Sequence, residues 1–168
     1  MIRSALMLVT LALFVASAVG QAAASHTGLL FGASSRVVIT MSEWKFSPST
    51  ITLAAGESVD VVLENKGTQS HVFMAYPAPK TLYKGTGDWW AYVLERTYFQ
   101  DMGEILVHSK GMFAISGTRI AEVAVEPGKT VTLTFTPGRK GRFEIGCHLP
   151  TGGASHYTAG MKGQLIVR

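Results

Sequence analysis

The chain has 168 residues, of which 47% are hydrophobic, and its 15 lysines and arginines against 11 aspartates and glutamates give a formal net charge of +4. It contains no run of basic residues and no alternation of basic with aromatic residues, so nucleic-acid binding is not indicated. The single cysteine excludes an intrachain disulfide.

The first 24 residues are typical of a targeting segment. Arg3 supplies a short basic start, residues 5–19 carry no charge, and the small residues 16–18 fit a cleavage site. The apolar run is shorter than the roughly 20 residues that span a membrane. We therefore expect a cleaved signal peptide, with a retained N-terminal membrane anchor as the alternative. A cleaved signal peptide and a retained anchor both predict export of the remaining chain to the periplasm or another extracytoplasmic space.

The rest of the chain predicts a flexible leader over residues 25–35 and a single domain over residues 36–168, long enough to bury a core. Short runs in which apolar and polar residues alternate are separated by Gly and Pro turns, which predicts an all-β sandwich or barrel with antiparallel strands. The alternating residues are Val37, Ile39, Met41, Ile51, Leu53, Val59, Val61, Leu63, Ala121, Val123, Val125, Val131, Leu133, Phe135, Phe143, Ile145, Cys147, Gly163, Leu165 and Val167.

An insertion of about residues 76–117 interrupts this strand pattern. Within it, Asp88 is predicted to cap a helix that begins at Trp89. The insertion is rich in aromatic residues, so we expect it to pack over the sheets. Shielding a functional site or forming a docking face for a partner is the alternative. The aromatic residues are Trp89, Trp90, Tyr92, Tyr98 and Phe99.

The chemically most distinctive stretch runs from Arg142 to Val167. The alternation places the thiol of Cys147 at the inner end of a buried strand, and His156 and Met161 follow it in a loop rich in small residues. A thiolate, an imidazole and a thioether are the donor types of an electron-transfer copper site. His148 directly follows Cys147, so strand geometry turns its side chain away from the thiol.

This stretch resembles the copper-binding loop of the cupredoxins, in which a strand ends in Cys and a His and a Met precede a G-x-L-x-V strand. Residues 46–56 match the F-x-P-x-x-I-x-L-x-x-G run of the N-terminal half of that family. The N-x-G-x-x-x-H-x-F run from Asn65 to Phe73 matches the position of its first copper ligand. The resemblance covers about residues 36–73 and 121–168, and it does not extend to the insertion.

The resemblance implies a Greek-key β-sandwich that holds one type 1 copper ion. Its ligands would be His71, Cys147, His156 and Met161. The implied function is that of an exported one-electron carrier between redox partner proteins, such as cytochromes or a terminal oxidase, and not that of an enzyme. A periplasmic copper carrier or storage protein is the alternative. In the family the second histidine, here His156, reaches the surface through an apolar patch.

The chain departs from the family pattern at several positions. Val72 stands where many members have a small polar residue, which leaves open what orients the imidazole of His71. The gap from Cys147 to His156 is long and resembles that of copper nitrite reductases. Those enzymes carry a histidine directly before the cysteine that leads to a second copper, whereas this chain has Gly146. Trp44 is predicted to be a core residue, with an electron-relay role as the alternative.

Other site chemistries fit these residues less well. A structural zinc site would use more thiolates or histidines and no methionine. A binuclear copper centre needs two cysteines, and a buried cysteine at a strand end is a poor nucleophile for a thiol enzyme. His108, Met102 and Met112 in the insertion do not have the spacing of a second ligand set. The net positive charge predicts solubility, with attraction to an acidic partner as the alternative.

Overall fold

The computed structural model describes residues 34–78, 86–100, 102–103, 105–109 and 120–168. The predicted targeting segment, most of the predicted leader and Met112 lie outside these residues. In the part of the chain that is described, no helix combines the length and the apolar character needed to cross a membrane.

The described strands form two five-stranded sheets and a short two-stranded one, with strand orders β2-β1-β4-β8-β6, β3-β12-β9-β5-β7 and β10-β11. The all-β prediction is confirmed. The elements are β1 Ser35–Ser42, β2 Lys45–Ser47, β3 Thr50–Leu53, β4 Val59–Asn65, β5 His71–Tyr76, α1 Thr86–Arg96, β6 Leu106–Ser109, β7 Val123–Val125, β8 Thr130–Phe135, β9 Gly141–Gly146, β10 Pro150–Thr151, β11 Ala154–Ser155 and β12 Lys162–Val167.

Two of the strand pairs are parallel, whereas the sequence predicted antiparallel strands throughout. β1 pairs with β4, and β3 pairs with β12, each in parallel. The reason lies in the chain path: between β1 and β4 the chain passes through β3 in the other sheet, and it returns to the first sheet in its original direction. The remaining pairs among the described strands are antiparallel.

The predicted alternation places apolar side chains between the sheets. In β8, Val131, Leu133 and Phe135 are buried, and the residues between them are half-buried. β5 is buried at every position. The backbone N–H of Tyr98 donates to the carbonyl oxygen of Ala75 in β5 at 2.7 Å.

The described part of the insertion contributes a helix and a strand to the fold. The helix begins at Thr86, three residues before the predicted start, so Asp88 lies in its first turn and not before it. β6 was not predicted; it pairs with β8 and forms an edge of the first sheet.

Aromatic residues that follow the helix are part of the core and do not merely cover it. Phe99 is 4% exposed, and its ring lies 5.5 Å from that of Phe135 and 6.5 Å from that of Phe73. Tyr98 is fully buried and its ring contacts Phe143 at 4.6 Å. The expectation that the insertion packs on the sheets is met by these described residues.

We expect Phe99→Ala to lower the free energy of unfolding by about 3–5 kcal/mol, because it leaves a cavity between the two sheets. Chemical denaturation of the metal-free protein measures this change. Leu106→Ala is the control: Leu106 is 46% exposed on β6, so its truncation should change stability by no more than about 0.5 kcal/mol. Equal small effects at both positions would show that the insertion is not part of the core.

Candidate metal centre

Three adjacent strands bring the predicted ligands together at one end of the sandwich. β9 lies between β12 and β5, and Gly146 at its end pairs with Lys162 on one side and Met74 on the other. Cys147 directly follows β9, and Met161 directly precedes β12. His71 is the first residue of β5, which runs antiparallel to β9, so it begins where β9 ends.

The side chains of His71, Cys147 and His156 converge on one point. Their ligating atoms lie within 4.8 Å of one another, and all three residues are buried. Nδ1 of His156 is 3.2 Å from Nδ1 of His71 and 3.3 Å from Sγ of Cys147. Among the residues that the structure describes, these three side chains form the group that could hold a metal ion. His108 is exposed on β6 and lies outside this group.

Backbone hydrogen bonds tie the fourth predicted ligand to the others. Met161 is fully buried, its carbonyl oxygen accepts from the N–H of Cys147 at 3.1 Å, and its own N–H donates to the carbonyl oxygen of His156 at 2.9 Å. The N–H of His156 in turn donates to the carbonyl oxygen of Leu149 at 2.9 Å. The whole loop from Cys147 to Met161 is thus fixed by its own backbone.

Burial sets the protonation states of these groups. It lowers the pKa of both His71 and His156, and the neighbouring His156 lowers the pKa of His71 further, so both imidazoles are neutral at neutral pH. Burial also raises the pKa of the Cys147 thiol, despite the N–H of Val72, which donates to Sγ at 3.3 Å. The thiol is therefore protonated at neutral pH until a metal displaces its proton.

Consecutive residues in the turn between β1 and β2 contact the two imidazoles. Oε1 of Glu43 lies 3.7 Å from Nε2 of His71. The ring of Trp44 lies 4.4 Å from that of His156, with an interplanar angle of 55°. Trp44 is half-buried and packs at the edge of the core, so the prediction of a core position holds in part. Glu43 could not be identified from the sequence, because no local pattern links it to His71.

His148 belongs to a separate cluster on the far side of Cys147, as its position in the strand predicted. Its Nε2 lies 2.8 Å from the hydroxyl of Tyr76, and its ring stacks on Tyr157 at 4.5 Å. A Cβ atom at Gly146 would lie 2.6 Å from the Tyr76 hydroxyl and 3.0 Å from both Nε2 of His148 and Cδ2 of Tyr157. A side chain at Gly146 would therefore require the side chains of Tyr76, His148 and Tyr157 to shift.

Known proteins share this fold. An auracyanin from Roseiflexus castenholzii, in its dithionite-reduced form, is 26% identical, with a TM-score of 0.50 over 82% of this chain and 99% of its own. Auracyanin B is 20% identical and shares the fold, with a TM-score of 0.51 over 80% and 88%. The copper-resistant cuproprotein CopI of Pseudomonas aeruginosa is 32% identical over 93% of this chain and 91% of its own length. The chain belongs to the cupredoxin family. No model of a protein family matches it.

The donor atoms of this cupredoxin fit copper. Two neutral imidazoles and one thiol converge in a buried site, and a buried methionine is tied to both Cys147 and His156 by backbone hydrogen bonds. Soft sulfur donors combined with imidazole favour copper, whereas a structural zinc site does not use methionine. The protein is a copper-binding cupredoxin.

We expect metal binding to release about one proton per ion at neutral pH, because the thiol loses its proton and the neutral imidazoles have none to lose. The apparent affinity should therefore rise as pH rises toward the elevated pKa of Cys147. Titration of the reduced protein with Cu(I) in buffers of different ionisation enthalpy measures the proton count. Release of no proton would show that Cys147 is not a ligand, or that its thiol is already ionised in the metal-free protein.

Proposed function

We propose that this cupredoxin is an exported one-electron carrier, in which His71, Cys147, His156 and Met161 hold a single type 1 copper ion. Bound copper would supply the Cu(II)/Cu(I) couple. Export is supported by the targeting segment predicted over the first 24 residues, and a cleaved signal is favoured over a retained anchor. The partners that this function requires are redox proteins, such as cytochromes or a terminal oxidase.

One observation carries the proposal: the four predicted ligands are buried, and backbone hydrogen bonds join three of them. His71 and Cys147 are fully buried, and His156 is 2% exposed. Hydrogen bonds join the backbone of Cys147 to Met161 and that of Met161 to His156. Such a site resists the change of geometry that the switch between Cu(II) and Cu(I) would otherwise impose. Fast electron transfer requires that the site rearrange little.

The proposed electron port is the surface around His156 and Trp44. Because His156 is 2% exposed, its ring has little direct access to solvent. The half-buried ring of Trp44 packs on it and continues to the surface. Pro150, Ala154 and Ala159 are exposed nearby in the sequence and give the loop an apolar character. Contact of a partner with Trp44 would therefore bring it close to His156.

A copper carrier or store is the second candidate function. It is supported by the relative CopI, whose name describes a copper-resistant cuproprotein. A carrier must release its metal to an acceptor, whereas an electron carrier must keep it through many cycles. An enzymatic role with a second copper is disfavoured because Gly146 stands directly before Cys147, where a histidine would be needed.

We expect the copper-loaded, oxidised protein to show an intense visible band from thiolate-to-Cu(II) charge transfer, and Cys147→Ser to abolish it. The physical reason is that the band requires the sulfur of the chain's single cysteine. His108→Gln is the control, since His108 is exposed on β6 and lies outside the cluster. Optical and EPR spectra of the three proteins test the assignment, and a colourless wild-type protein would refute it.

We expect the wild-type protein to retain its copper through repeated oxidation and reduction in the presence of an external Cu(I) chelator. Trp44→Ala should lose copper several-fold faster, because it uncovers the ring of His156, whereas Trp44→Phe keeps an apolar cover. Chelator absorbance measures the loss. Rapid transfer of copper from the wild-type protein to the chelator, without retention over the cycles, would favour the copper-carrier function.

A further inference from the structure

The outer nitrogen of His71 is a buried polar atom that needs a partner. Nδ1 of His71 faces the site, where it lies 3.2 Å from Nδ1 of His156. A neutral imidazole whose Nδ1 is free to bind a metal carries its proton on Nε2. His71 is fully buried, and within the described structure its Nε2 has no hydrogen-bond partner.

The carboxylate of Glu43 faces this nitrogen. Its Oε1 lies 3.7 Å from Nε2 of His71, slightly beyond the length of a hydrogen bond. The side chain of Glu43 is 30% exposed, so one side of the carboxylate faces solvent and the other faces the buried ring. Histidines that bind metals usually donate their second N–H to a carboxylate or a carbonyl oxygen.

The loop before β5 holds this carboxylate in place. Oε1 of Glu43 accepts from the N–H of Thr68 at 2.7 Å, from the N–H of Gln69 at 3.1 Å and from the Thr68 hydroxyl at 3.3 Å. A Cβ atom at Gly67 would lie 2.5 Å from Oε1, so the glycine leaves the room that the carboxylate occupies. The N–H of Glu43 itself, followed by these donors, stabilises the negatively charged carboxylate and lowers the pKa of Glu43.

The buried amide of Asn65 fixes that loop from within. Its Nδ2 donates to the carbonyl oxygens of Gln69 and Val125, both at 2.8 Å, and its Oδ1 accepts from the N–H of Gly67 at 2.9 Å. The loop therefore presents its N–H groups to Glu43 in a fixed direction.

We propose that Glu43 is the positioning residue for His71: it accepts the Nε2–H of the ring, sets its tautomer and places a negative charge behind the ligand. This inference rests on the proposed function. It extends that function by naming the residue that orients the imidazole of His71, which Val72 cannot do. A carboxylate behind an imidazole increases its basicity and stabilises the more highly charged metal ion. The consequence is a preference for Cu(II) over Cu(I) and hence a lower reduction potential than the four ligands alone would give.

Glu43→Gln is the test variant, because its amide oxygen can still accept from Thr68 and Gln69 while the charge is removed. Glu64→Gln is the matched control: it removes an equal charge from a side chain that is 29% exposed and pairs with Lys66 at 3.1 Å. Potentiometric titration and metal competition should show that Glu43→Gln weakens Cu(II) binding by about 10-fold to 100-fold, the usual loss for such partners, and Cu(I) binding by less. Its potential therefore rises above that of Glu64→Gln.

A second measurement does not depend on copper. In the metal-free protein labelled with ¹⁵N at histidine, we expect the His71 ring to be protonated at Nε2, with its resonance shifted by Glu43→Gln and not by Glu64→Gln. Equal potentials in the two variants, or a His71 ring protonated at Nδ1, would overturn the role of Glu43. Failure of the wild-type protein to bind copper would instead refute the proposed function, and the NMR measurement would still decide whether Glu43 orients His71.

Discussion

The structure depends on the pairing of β9 with β12 and β5. This pairing sets the end of one strand beside the beginnings of two others, and the hydrogen bond from the N–H of Cys147 to the carbonyl oxygen of Met161 continues it beyond the last ladder residue. Strand pairing therefore brings residues that are distant in the chain close together in space. A shift of β9 by one residue would turn the thiol to the opposite face and remove it from the imidazoles.

The sequence was informative wherever a local pattern carried the signal. Alternation of apolar residues located the strands that enclose the core, and the spacing of Cys147, His156 and Met161 identified one half of the candidate site. The position of His71 came from resemblance, since a single histidine in an apolar strand has no chemical signature of its own. The structure places His71, Cys147 and His156 in one cluster.

Other features could not be predicted, because they depend on contacts between distant segments. The parallel pairing of β1 with β4 follows from the path of the chain between the sheets, which periodicity does not reveal. The pairing of β6 with β8 makes a strand of a short segment with little signal of its own. In the sequence, Glu43 looks like an ordinary polar residue and Trp44 like an ordinary core residue. Their contacts with the two histidines appear only in the folded turn.

The turn between β1 and β2 supplies a neighbour to each imidazole from two consecutive residues, Glu43 to His71 and Trp44 to His156. An insertion or deletion in this turn would displace both neighbours at once, although it would leave every predicted ligand in place. The length of this one short hairpin therefore determines which side chains face the two histidines of this chain.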